Sequence, residues 1–273
     1  MARDLFIIIF SKDRACQLES LLRSVRDHFR SAYLSITVLY KATSPAFNNG
    51  YELAKKTCVC DKVAWRPEQS FQNDVAAICG ALAPESLVMF LVDDDVVFRP
   101  CMLEGVLDAF TDEYLFVSLR ASRAYSSDMP PEFITSEPYL EWKWNYSKRR
   151  WVTWNYPFSI DGNIFHAAHI SKIVRKISFE APNSFEGRMH TCRHHWWVKR
   201  IKKGLALLDA VVFNNPLNRV QAESETWHNN VSTESLNEAF LSGMRINNAV
   251  LYSARPDATH YSVAVSLEKG KAQ

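Results

Sequence analysis

The sequence predicts an α/β protein, with a mostly parallel sheet covered by helices on both faces and a second half of different texture. Three observations carry this. Strand-like and helix-like patterns alternate through residue 119. The strands read as short continuous apolar runs, as strands buried on both faces do. One of them, Phe90-Leu91-Val92-Asp93-Asp94-Asp95-Val96-Val97-Phe98, ends on three acids.

The elements follow in order. Residues 5–11 are an apolar strand. Residues 17–29 place Leu18, Leu21, Leu22, Val25 and Phe29 at helical spacing. Residues 35–40 and 62–65 read as strands, with helices at 49–56 and 71–82. The fourth strand, 87–92, runs into the aspartates. Residues 100–110 read as a helix with Pro100 in its first turn, and 114–119 as another strand. In the second half, Trp142, Trp144 and Tyr146 alternate before a polar stretch and a second aromatic run to Tyr156, the pattern of a β-hairpin. A loop around Asp161-Gly162 enters a strand. Residues 183–203 read as one helix, 205–213 as a strand and 235–241 as a helix. A boundary falls near residue 123, dividing one compact body into 1–123 and 124–273.

Hydrophobic residues make up 47% of the 273 and charged residues 23%, enough apolar material for a core. A net charge of +2 argues against nucleic acid as a partner. The six cysteines, Cys16, Cys58, Cys60, Cys79, Cys101 and Cys192, form no zinc pattern and point to a reducing, cytoplasmic compartment. No secretory signal is visible and no apolar run approaches about 20 residues.

Carboxylates at the end of a buried strand are costly unless paired, hydrogen-bonded or bound to a metal. In sheets of this kind ligands bind beyond the carboxyl ends of strands. Hard oxygen donors there suit Mg²⁺ or Mn²⁺, which bind substrate phosphates when held by one or two carboxylates. The reading is a diphosphate-bearing substrate. The competing reading of such a triplet is an acidic turn capping the next helix, or a solvated loop.

This placement of D-D-D, with the opening "IIIFSKDRACQLESLLRSV" and the later "YPFSIDGNIF", resembles the GT-A-fold, nucleotide-sugar-dependent glycosyltransferases of bacterial type across residues 4–215. The resemblance implies a nucleotide-sugar-binding half (1–123) and an acceptor-binding half (124–273). It implies that Asp95 binds Mn²⁺ or Mg²⁺, that Asp93 contacts the ribose or the metal, and that Asp94 stands between these roles. Ser11, Asp13 and Arg14 would meet the nucleotide, Arg14 being equally a helix-start residue. Gln72 and Asp74 would touch base or ribose; they also suit a helix N-terminus. The general base is expected at Glu186, with Asp161 as second candidate. Asn183 and Glu186 also have the spacing of a capping box. A histidine near the C-terminus, His228 ahead of His260, would complete the metal shell.

The implied reaction moves a sugar, UDP-linked in the first instance, to a hydroxyl of a glycan or lipid-linked glycan, in surface polysaccharide synthesis. The aromatic segment 142–154 offers rings for sugar stacking, with half of them expected in the core. The basic, Trp-bearing stretch 190–203 reads as an amphipathic helix, or as a peripheral contact with an anionic membrane. Two alternatives stand beside this. One is a sugar-phosphate nucleotidyltransferase, disfavoured because "FSKDRACQ" has no glycine-rich loop. The other is a non-catalytic glycan- or nucleotide-binding subunit of the same fold.

Overall fold

A computed structural model of the chain describes residues 3–125, 130–145, 153–218 and 231–270. The first part alternates as expected: β1 (Leu5–Lys12), α1 (Ala15–His28), the short β2 (Phe29–Arg30), β3 (Leu34–Lys41), α2 (Pro45–Lys56), β4 (Val63–Pro67), α3 (Phe71–Gly80) and β5 (Leu87–Val92). After it come β6 (Asp95–Val97), β7 (Cys101–Met102), α4 (Leu103–Ala109), β8 (Tyr114–Ser118), β9 (Ile134–Ser136), β10 (Tyr139–Lys143), β11 (Asn163–His166), α5 (Ala167–Val174) and α6 (Pro182–Thr191). The described chain closes with α7 (Trp196–Arg200), β12 (Lys203–Leu207), β13 (Val212–Asn214), α8 (Thr233–Leu241), β14 (Met244–Ile246), α9 (Asn248–Tyr252) and β15 (Leu267–Lys269).

Nine of the described strands form one sheet in the order β4-β3-β1-β5-β11-β8-β12-β10-β9. β1 is paired in parallel on both sides, to β3 and β5, and is buried over most of its length. β11 runs antiparallel to β5 and β8 and β10 antiparallel to β12 and β9, so the other seven strands share one direction. The sheet crosses position 123 without interruption. One apolar core, including Leu18, Leu21 and Leu22 of α1, fills one face; a second, built on Phe10, Phe90, Phe165 and Phe185, fills the other. Covering both faces is why the central strands carry almost no polar residues until their carboxyl ends. Among the described residues no helix is long and apolar enough to cross a membrane.

The later elements depart from the sequence reading. The segment 139–143 does not pair with 153–156; β10 pairs with β9 before it and β12 after it, and Thr153–Asn155 is a 3₁₀ turn. Gly204 of β12 explains the choice. A Cβ there would stand 2.8 Å from the Trp142 ring and 3.1 Å from Phe116, so only glycine lets the indole lie across that strand. Trp142 Nε1 then donates to Trp154 O at 2.7 Å, and the two rings meet edge to face at 4.9 Å. Trp142, Trp144 and Trp154 are 2%, 2% and 1% exposed, so these rings are core and not a sugar platform. The helix expected over 183–203 breaks into α6, a 3₁₀ turn (Cys192–His194) and α7, with His195 extended. The buried stripe Phe185, Met189, Cys192 has no successor one turn on; the chain swings to bury Val198 instead. The strand expected over 205–213 is β12 and β13, and the helix expected from Pro100 begins at Leu103 after β7.

If the Trp pair is core, Trp142→Ala costs about 3–5 kcal/mol. Differential scanning calorimetry should show a Tm lowered by roughly 10 °C. An unchanged Tm would contradict this packing.

Candidate active site

The carboxyl ends of β1, β3, β5 and β8 open into a cavity of about 660 Å³, closed opposite by the 156–161 loop, the first turns of α6, and Asn214 and His260. The chain turns at Asp93-Asp94 and re-enters a strand at Asp95. β6 then pairs antiparallel with β13, placing Asn214 opposite Asp95. The three acids therefore sit in a built turn at the sheet rim and do not cap a helix.

Arg14 is the cation that meets them. It stands at the N-terminus of α1, and its Nη1 donates to Asp93 Oδ1 at 2.9 Å and Asp94 Oδ2 at 3.1 Å. Its Nη2 donates to Asn218 O. Burial opposes the guanidinium charge, but Asp93 and Asp94 overcome it and raise its pKa. Burial pushes the Asp93 carboxyl up to about 6, against the pull of Arg14. Lys12 N also donates to Asp93 Oδ2 at 3.2 Å.

Asp95 is held differently. It is 1% exposed and accepts from Val92 N at 2.8 Å and Asn214 Nδ2 at 3.1 Å, both neutral donors. The same Asn214 amide donates to Asp94 Oδ1 at 2.8 Å. Burial, then Asp161 and Asp94, drive the Asp95 carboxyl well above its usual range. One guanidinium thus faces three carboxylates, Asp95 having only neutral donors, and this oxygen donor set fits a hard divalent cation. Asp93 makes the shorter contact with Arg14, 2.9 against 3.1 Å for Asp94, and its other oxygen accepts from Lys12 N, so it fits that role less well. Among the described residues no three Asp, Glu, His or Cys side chains form a complete metal shell. His228 lies outside the described residues.

On the facing wall, Glu186 projects from α6. The capping box expected with Asn183 does not form. The N-cap is Ala181, and Ser184 Oγ accepts from Ala181 N and Glu180 N, both at 3.0 Å. Pro182 at the start of the helix shifts the cap two residues earlier. Glu186 is thereby released into the cavity, where its Oε1 accepts from Ile160 N at 3.2 Å. Burial and then Asp161 push its carboxyl up to about 7, with Arg120 pulling the other way. Asp161 is bound by Arg120 Nη1 at 2.9 Å, with His260 Nε2 3.7 Å away. Gly162 fixes this turn at φ +88°, a conformation glycine adopts freely; any Cβ would stand 3.1 Å from Val212.

The other expected residues divide. Ser11 lines the cavity, with Oγ 2.7 Å from Tyr51 Oη. Asp13, at φ 58°, faces away and accepts from Thr43 N and Oγ1, both at 2.7 Å, tying the β1–α1 turn to the one after β3. Gln72 and Asp74 lie outside the cavity wall, Gln72 in a shallow recess beside it. Gln72 Oε1 accepts from Phe179 N at 3.0 Å, and Asp74 accepts from Gln69 N and Ser70 N at 2.8 and 2.9 Å. Arg120 and Asn214 line the cavity without having been expected there, while Lys12 lies in the SKDR stretch and Tyr156 in the acceptor-side loop that the sequence sets at the site. Lys12 makes no ion pair among the described residues. A base two residues beyond a strand end, as Arg120 follows Ser118, is the signal that was available; Asn214 offered none.

No family model matches the chain. A bifunctional glycosyltransferase of Dictyostelium discoideum, pgtA, is 23% identical over 211 residues, which is 66% of this chain and 27% of that protein. S. aureus TarS 1–349 solved with UDP-GlcNAc superposes over 82% of this chain and 61% of that one, at 16% identity and a TM-score of 0.51. Its complex with UDP matches over 78% and 61%, at 14% identity and a TM-score of 0.50. This is a GT-A-like fold. The chain spans about a quarter of the length of the curated relative.

Two outcomes follow from the electrostatics. Arg14→Ala strands Asp93 and Asp94 without their cation and should cost about 3–5 kcal/mol, measured by urea denaturation; a loss below 1 kcal/mol would show the pair to be solvent-screened. Glu186 binds a proton more tightly folded than unfolded. Its contribution to stability is therefore complete below about pH 4.5 and is lost as pH rises through about 7. Glu186→Gln should raise Tm by about 2–6 °C at pH 8 and not at pH 4.5, in paired thermal melts.

Proposed function

We propose that this chain is a glycosyltransferase that moves a sugar from a nucleotide diphosphate donor, in the first instance a UDP-sugar, to a hydroxyl of a glycan or lipid-linked glycan. The observation that carries the reading is the division of the cavity. An acidic turn with excess negative charge stands on one wall. A carboxylate with its pKa near neutrality stands on the other. Similarity to the Dictyostelium enzyme and to a protein solved with UDP-GlcNAc supports the same class.

Glu186 is the general base. Near pH 7 a carboxyl of this strength is ionised in about half the molecules and still basic enough to take a hydroxyl proton. Ile160 N–H holds one of its oxygens, so the other is directed by the cavity wall. Arg120 pairs with Asp161 beside it, and the Asp161 carboxylate in turn raises the proton affinity of Glu186. Lys12, at the end of β1, faces the donor diphosphate. Ser11 and Arg14 meet the nucleotide end, with Arg14 also holding Asp93 in place to receive the ribose. Asp13, Gln72 and Asp74 act on this end by shaping the turns around it. A Mn²⁺ or Mg²⁺ ion would be held by Asp95 and Asp94, with His228 the expected further ligand, and would supply charge stabilisation to the departing diphosphate.

A thermal-shift titration with UDP-GlcNAc and other UDP-sugars, with and without Mn²⁺, tests the donor side. Stabilisation should need the metal and disappear in Asp95→Asn. Stabilisation unchanged by both conditions would remove the acidic turn from donor binding. In transfer assays, kcat should rise with pH through about 7, and Glu186→Gln should lower it by about 10²–10⁴ while donor binding persists. A Gln variant with ordinary turnover would move the base elsewhere.

A further inference from the structure

Charge is distributed very unevenly along this chain. Residues 167–205 hold nine Lys or Arg against two acids, Glu180 and Glu186, and both acids line the cavity. The segment is therefore +7 in a chain whose whole net charge is +2, and the rest of the chain sums to −5.

The fold gathers this charge. α5 and α7 are joined through Trp197, whose ring lies 5.1 Å from His169 and carries Lys172 Nζ at 4.6 Å. Lys203 is occupied by Glu113 and Glu141. Among the described residues, Lys172, Arg175, Lys176, Lys199, Arg200 and Lys202 have no carboxylate partner, and all but Lys172 are exposed. Trp196 stands among them 66% exposed, with the Arg200 guanidinium 4.8 Å from its ring centroid. An exposed indole carrying one guanidinium, in a segment rich in cations without carboxylate partners, suits a boundary where one side is apolar and the other anionic. Bulk water offers no gain for that arrangement, and a protein partner with a dry interface would leave the cations unpaired.

We propose that this face docks the protein on an anionic phospholipid surface, with Trp196 entering the headgroup layer and the surrounding Lys and Arg side chains meeting lipid phosphates. Glu186 lies on the same helix, α6, whose far end runs into the basic face. The docked orientation therefore sets the acceptor side of the cavity beside the lipid surface. The attachment does not depend on the reaction proposed above. Donor binding and lipid binding are separate measurements, and either result can fail while the other stands.

The test is co-sedimentation of the full chain with vesicles of phosphatidylcholine alone and of phosphatidylcholine with 30% phosphatidylglycerol, at rising salt. The protein should partition onto the anionic vesicles, not the neutral ones, and should leave them as salt screens the charges. The double variant Lys199→Glu/Arg200→Glu should partition about thirtyfold less. Trp196→Ala should bind several-fold less and lose the blue shift that vesicles induce in the parent's fluorescence. Both variants change exposed side chains, so their Tm values should match the parent's. Equal partition of parent and double variant would overturn the proposal. So would a parent that ignores anionic vesicles. Full displacement by soluble polyphosphate at equal anionic charge, with Trp196→Ala binding as the parent does, would identify a soluble polyanion and also overturn it.

Discussion

The structure turns on the partners found for three consecutive carboxylates at the rim of a buried sheet. An unpaired carboxylate in such a place costs several kcal/mol. Here two side chains distant in sequence meet the cost. Arg14, from the start of α1, spans Asp93 and Asp94; Asn214, from the end of β13, spans Asp94 and Asp95. Each contact requires an element to end where it does. β1 must stop at the level of β5 for Arg14 to arrive, and β13 must pair with β6 in the register that sets Asn214 against Asp95. The acidic turn thus ties the first strand, the fourth long strand and the C-terminal third together.

The second wall of the cavity is organised by the same logic with the balance set differently. Arg120 neutralises Asp161 alone, and Glu186 is left facing a carboxylate with only backbone and hydroxyl donors for company. Its proton affinity rises because its charge is expensive there. The position weakens the folded protein near neutral pH, and carboxylates perturbed in this way concentrate at functional sites.

Much of the first half was legible because buried parallel strands have little freedom in composition. The run Leu87 to Val92 could be bounded to the residue, since the next residue was an acid. The helix from 17 to 29 was legible from five apolar positions at one spacing and differs from α1 only at its ends. The second half was harder for identifiable reasons. Alternating Trp142 and Trp144 announced a strand but not its partner, which was chosen by the missing side chain of Gly204 some sixty residues on. Glu186 was legible as a carboxylate near a helix start. Its spacing from Asn183 suggested a cap, yet Pro182 and Ser184 moved the cap and freed it. Arg120 and Asn214 were visible as residues and invisible as neighbours of the site.

By itself, the sequence determined the α/β class, the central strands and the acidic turn, because apolar periodicity and the cost of burying charge are local properties that a short window displays. Only the tertiary structure decided which cation meets which carboxylate, which strand the aromatic segment joins, and that Trp197 of α7 packs against His169 and Lys172 of α5. Those are contacts between residues far apart in the chain, and Coulomb and packing energies depend on distance in space, which no local pattern records.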